Sequence, residues 1–227
     1  MSKPVALIAL VCTLWGLPCP SFASADVKNC ALAGAPSWFR DFRTVLADCD
    51  NRIVSPSGQL LLRIDPTGAV YVLQASGKVL AKAPAPVEPP AMAAWSPSSS
   101  AFFIDDGNGS GETSQIRLYV LEGGRITESD SVQRSASDLY RARVRCTQKA
   151  LDPDVWGLRW TSDGLYLDLL VEATVHQACG EPGSFLGMRV RVTDAKVVEV
   201  LSESATMRRW SAWLPKGLKP QEGTPAH

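Results

Sequence analysis

The sequence predicts a mainly β fold: three successive blade-like antiparallel sheets, with short N- and C-terminal helices. Three observations carry that expectation. A turn of the Ser-Pro-Ser-Gly type sits between short apolar runs three times, at Ser55-Pro56-Ser57-Gly58, Trp95-Ser96-Pro97-Ser98 and Trp160-Thr161-Ser162-Asp163-Gly164. Each copy leads into further short runs divided by turns rich in Gly, Asp and Pro, the residues that tight turns select. Helical spacing of apolar residues is found near each end of the chain and in one insertion.

The elements follow in order. Lys3, the apolar run Val5 to Leu17 and Ala23-Ser24-Ala25 have the charge, length and small-residue cleavage site of a signal peptide, so the mature chain is expected to begin at Asp26. Leu17-Pro18 before Cys19 is wrong for lipoprotein processing, and no later run is apolar enough to span a bilayer. The mature chain is therefore expected to be soluble, and periplasmic or secreted. Residues 26–214 read as one domain and 215–227 as a disordered tail. From Ala35 to Asp48, Trp38, Phe39, Phe42, Val45 and Leu46 fall on one face of an expected helix, with Ser37 as N-cap.

The first sheet is expected to use Arg52–Val54, Gln59–Ile64, Ala69–Leu73 and Lys78–Ala81. Leu60-Leu61-Leu62 is apolar on both strand faces, which predicts a sheet covered on both sides. Residues 84–90 form a stiff Pro-rich connector. The second sheet takes Met92–Trp95, Ala101–Ile104, Ile116–Leu121 and Arg125–Glu128. An insertion, roughly Ser129 to Asp154, delays the third sheet and carries a helix expected over Ser137–Lys149. The third sheet takes Val155–Trp160, Leu165–Val175, Phe185–Thr193 and Lys196–Leu201. A last amphipathic stretch then gathers Met207, Trp210, Trp213 and Leu214.

Pro90-Ala91-Met92-Ala93-Ala94-Trp95-Ser96-Pro97, with Phe102-Phe103-Ile104 and Arg117-Leu118-Tyr119-Val120, resembles the TolB-type, WD-like propeller repeat of bacterial periplasmic proteins. The first copy lacks the Trp and the third replaces Ser-Pro by Thr-Ser. The resemblance implies a blade and no catalytic residue. Closed propellers have roughly four to eight blades, so three copies predict an incomplete propeller-like stack. Its ends are closed by the terminal helices, or two chains complete a ring as a homodimer; the helices favour the open stack.

Charge and motifs exclude several functions. With 23 Lys and Arg against 23 Asp and Glu, nucleic-acid binding is not expected. No Gly-x-Ser-x-Gly elbow or phosphate-cradling Gly-rich loop occurs. His176 and Cys179 are too few for a structural zinc. Outside the signal, Cys30, Cys49, Cys146 and Cys179 predict two disulfides in an exported chain, with Cys30–Cys49 and Cys146–Cys179 preferred because each brackets one local segment. Asp106, Asn108 and Ser110 lie at positions 1, 3 and 5 of a calcium-type loop whose position 12 is Arg117 instead of Glu, which makes the loop a weak calcium candidate. Asp105, Asp163, Asp168 and Glu172 are the carboxylates available for glycoside hydrolysis. Trp95 and Trp160 occupy equivalent positions and are expected to pack between sheets. Arg209, Trp210 and Trp213 are interface candidates, against the competing role of covering the last sheet. No catalytic set, cofactor or metal centre is expected. The reading reached is a non-enzymatic binding protein for an envelope or secreted protein partner; the alternative is a glycan-active enzyme or lectin on the same scaffold.

Overall fold

The computed structural model describes residues 43–107, 114–144, 146, 152–173 and 183–214. The expected signal peptide, Cys30, His176, Cys179, Asn108, Ser110 and the tail lie outside these residues. Among the described residues the fold is mainly β, with three antiparallel sheets, no closed barrel and two short helices. The first sheet comprises β2 (Asn51–Val54), β3 (Leu60–Ile64), β4 (Val70–Gln74) and β5 (Val79–Lys82). The second comprises β6 (Ala91–Trp95), β7 (Ala101–Asp106), β8 (Gln115–Glu122) and β9 (Arg125–Ser129), with β1 (Arg43–Val45) added at the β6 edge. The third comprises β10 (Asp154–Trp160), β11 (Tyr166–Glu172), β12 (Phe185–Arg191) and β13 (Lys196–Leu201).

The repeated turn has one hydrogen-bond plan. Ser55, Ser96 and Thr161 each donate a backbone N–H to the carbonyl five residues on, at 2.9, 2.8 and 3.0 Å. Each hydroxyl then accepts from that same residue's N–H, at 3.2, 3.1 and 3.1 Å. The fourth turn residue is left-handed, as Gly58, Ser99 and Gly164. Ser99 tolerates the conformation while its Oγ accepts from Ser57 N at 3.0 Å, tying the second sheet's turn to the first. The hydroxyl is therefore the constant feature, and Thr161 preserves it where the Pro is lost.

The sheets stack in chain order with a core in each gap. Between the first and second lie Ile53, Leu62, Val72, Ala93, Trp95 and Phe102, among others. Between the second and third lie Ala94, Phe103, Leu118, Leu158 and Leu167. Alternation along each strand sends neighbouring residues into opposite gaps, so Ala93 and Ala94 serve different cores. Gly157 is required where β10 crosses Phe103, because a Cβ there would run into the ring.

Two expectations are corrected. Arg43–Val45, inside the helix expected over Ala35–Asp48, is a strand: β1 pairs antiparallel with β6, Val45 opposite Ala91. The β6 edge offers unpaired backbone groups, and Val45 becomes fully buried by meeting them. Asn51 ends the strand by holding both the N–H and the carbonyl of Leu46, each at 3.0 Å. The insertion's helix, α1 (Ser131–Val144), starts six residues before the expected Ser137, and residues 147–149 at its expected end lie outside the described residues. It starts directly after β9, where Asp130 O accepts from Arg134 N at 2.9 Å and Ser129 Oγ accepts from Ser131 N at 3.3 Å. The C-terminal helix, α2 (Glu203–Trp210), has Ser202 as N-cap.

Candidate functional site: the open face of the first sheet

Val54, Trp95 and Trp160 occupy one position, the last residue of each sheet's first strand. The two tryptophans use it alike. Trp95 Nε1 donates to Ile53 O at 3.1 Å in the first sheet, and Trp160 Nε1 donates to Ala94 O at 3.3 Å in the second. Each indole thus satisfies its N–H on the preceding sheet while its ring fills the gap. Pairing register extends each position into a row across the sheet. In the second sheet the row is Trp95, Phe102 and Tyr119, with Phe102 against Trp95 at 5.1 Å and stacked on Tyr119 at 4.7 Å. In the third it is Trp160, Leu167, Val190 and Val197.

The same row in the first sheet is Val54, Leu61, Leu73 and Val79. None of these four belongs to either core. Val54 is 64% exposed and Val79 51%, whereas Leu73, in the middle, is 7% exposed and flanked by the others. The doubly apolar run Leu60-Leu61-Leu62 predicted a cover on this face; among the described residues no sheet packs on it, and Val54 and Val79 at its two edges stay exposed. Two residues along the strands, about 7 Å away, runs a second row: Arg52, Arg63, Tyr71 and Lys82. Arg63 and Lys82 lie over the Tyr71 ring at 5.8 and 5.4 Å. Asp50 pairs with both Arg52 and Arg63, so two of the row's three cations share one acid. The face is a chemically mixed surface, with an apolar strip beside a basic, aromatic one.

The other end of the stack is closed. Trp210, an interface candidate, is fully buried, and a Cβ at Gly187 would strike its ring and Thr206. It belongs to the core because α2 lies flat on β12 and the glycine opens the space for the indole. Trp213 is half-buried under the Arg159 guanidinium, 3.8 Å from its centroid, and Arg209 pairs with Glu199. This trio covers the last sheet.

The acidic candidates separate. Asp106 accepts from Arg117 Nη1 at 3.1 Å and from Glu88 N at 3.2 Å, and Arg117 also forks onto Glu128. Arg117, where a calcium loop needs an acid, is thus the counter-ion of Asp106. Asp168 is fully buried between Arg159 (2.8 Å) and Arg189 (2.7 Å). It lies four residues from Glu172 on one strand, about 13 Å, beyond the roughly 5 to 10 Å of a glycosidase pair. Asp163 sits in the exposed turn, its carboxyl held low by Thr161. Asp105 is buried, accepts from Gly157 N at 2.8 Å, and burial pushes its carboxyl well up.

One carboxylate pair escaped sequence reasoning. Asp154 and Glu172 face each other across β10 and β11. Burial raises Asp154 to about 6, and burial followed by Asp154's charge raises Glu172. Only strand register could reveal it. Cys49 and Cys146 are disulfide-bonded. Among the described residues no cluster of three or more His, Cys, Asp or Glu could hold a metal, and no helix is long and apolar enough to cross a membrane. Neither protein-family models nor curated proteins give a match to the chain.

Proposed function

We propose that this is an exported, non-enzymatic binding protein built on propeller-like, TolB-like blades, and that it docks its partner on the open face of the first sheet. One observation carries the reading: the Val54–Leu61–Leu73–Val79 row is the register equivalent of the rows that pack sheet to sheet elsewhere in the chain. An apolar row at a solvent boundary costs solubility, and sheet-stacked proteins normally finish in a polar outer face. Here the end bearing α2 is finished that way and the first sheet is not. The partner is an envelope or secreted protein, met after signal-peptide cleavage near Ala25, in an oxidising compartment where Cys30–Cys49 and Cys146–Cys179 can form.

The test is affinity capture from the native host's envelope and secreted fractions, comparing the wild type with a Val54→Asp/Val79→Asp variant. Both positions are exposed, so the fold should persist. A protein retained by the wild type and lost by the variant is the expected result. Equal capture by both would move the docking surface elsewhere. The Asp154–Glu172 pair favours a second reading, a glycan-active enzyme. That reading requires envelope-glycan hydrolysis that disappears in Glu172→Gln with an unchanged melting temperature.

A further inference from the structure

We infer that the partner seated on the first sheet is an acidic protein segment, with carboxylates flanking an aliphatic or aromatic strip. This rests on the docking-face reading above and names the chemistry that the face selects. The row beside the apolar strip is where the face departs from its repeat equivalents. Arg52 and Arg63 hold the register positions that Ala93 and Ile104 hold in the second sheet, where a preceding sheet covers them. Covering Arg52, Arg63 and Lys82 with another apolar sheet would strand cations with one carboxylate, Asp50, among them, and an unpaired buried ion carries a large desolvation cost. An occupant carrying carboxylates removes that cost and gains charge-assisted hydrogen bonds to two guanidinium forks. Tyr71, between Arg63 and Lys82, adds a flat surface for an aliphatic or aromatic side chain.

A second copy of this chain does not fit. Two first-sheet faces brought together would bury six cations against two Asp50 carboxylates in one interface, and that excess of like charge repels. Head-to-tail stacking would need the far face of the third sheet, which Trp210, Trp213 and Arg209 already cover. A separate protein segment of opposite charge fits the face where a second copy does not.

Two synthetic peptides of about twelve residues, sharing the same leucine and valine positions, test this. One carries Glu at the intervening positions and the other Lys. Binding to the isotope-labelled mature protein is followed by backbone amide shifts. The Glu peptide should shift amides of 52–54, 61–63, 71–73 and 79–82, and lose about tenfold or more in affinity in Lys82→Glu or Val54→Asp. Its affinity should fall with added salt, and the Lys peptide should leave the sheet unperturbed. Equal binding of both peptides overturns the acidic partner while leaving the docking face in place. If neither peptide perturbs the first sheet at millimolar concentration, both the acidic partner and the face are overturned. Concentration-dependent dimerisation abolished by Val54→Asp would assign the face to a second copy and overturn the inference. Lys82→Glu, at an exposed site, keeps the test valid should Val54→Asp misfold.

Discussion

Replacing Trp210 by Ala separates a structural from an exposed C-terminal helix. Trp210 is fully buried against Gly187, in the core shared with Met188, Leu170 and Leu214. Removing a buried aromatic costs about 3 to 5 kcal/mol through lost transfer energy and the cavity left behind. Trp210 Nε1 has no hydrogen-bond acceptor, so truncation also releases an unsatisfied donor, which places the expected loss near 3 kcal/mol. For a domain of this size that lowers the melting temperature by about 6 to 12 °C. Trp213→Ala should cost about 1 kcal/mol, because its ring is half-buried and its main partner is the Arg159 guanidinium. Urea unfolding and thermal melting of both variants measure the difference. A Trp210→Ala variant within about 1 kcal/mol of wild type would refute the packing of α2 on the third sheet.

Two further outcomes follow from the same geometry. Asp154 is raised to about 6 by burial, so the neutral carboxyl is favoured in the folded state; its contribution is fully present below the unfolded carboxyl value and is lost as pH rises through about 6. Asp154→Asn should therefore match wild type near pH 4 and exceed it by about 1 to 2 kcal/mol at pH 8, measured as the difference between their urea unfolding curves; a difference independent of pH would contradict the assignment. Peptide mapping of the non-reduced mature protein should link Cys30 to Cys49 and Cys146 to Cys179, and its amino-terminal sequence should begin at Asp26. A Cys49–Cys146 link would contradict the placement of the insertion.

The three sheets were legible because their signals are local. Turn residues, short apolar runs and the Ser or Thr hydroxyl that closes each turn are all readable within a dozen positions. What was missed is non-local. Val45 fits a helical spacing with Leu46, yet it pairs with the edge of β6, far along the chain. The start of α1 was hidden because Ser131-Val132-Gln133-Arg134 has little apolar periodicity, although Val132 is fully buried. At the site, Arg117 could be seen as the residue that spoils a calcium loop, but its service to Asp106 and Glu128 needs strand register. Leu60-Leu61-Leu62 announced an apolar face on each side of β3. No property of the run could say that no sheet among the described residues would pack on Leu61's side, since that depends on the order of the sheets in the stack.

Hydroxyl-radical footprinting of the free mature protein tests the open face most directly, because it reads side-chain exposure at all three equivalent rows in one sample. Val54 and Val79 should be modified while Trp95, Phe102, Leu167 and Val190 stay protected. Protection of Val54 and Val79 to the level of Phe102 would show the first sheet covered within the chain itself and would contradict the account.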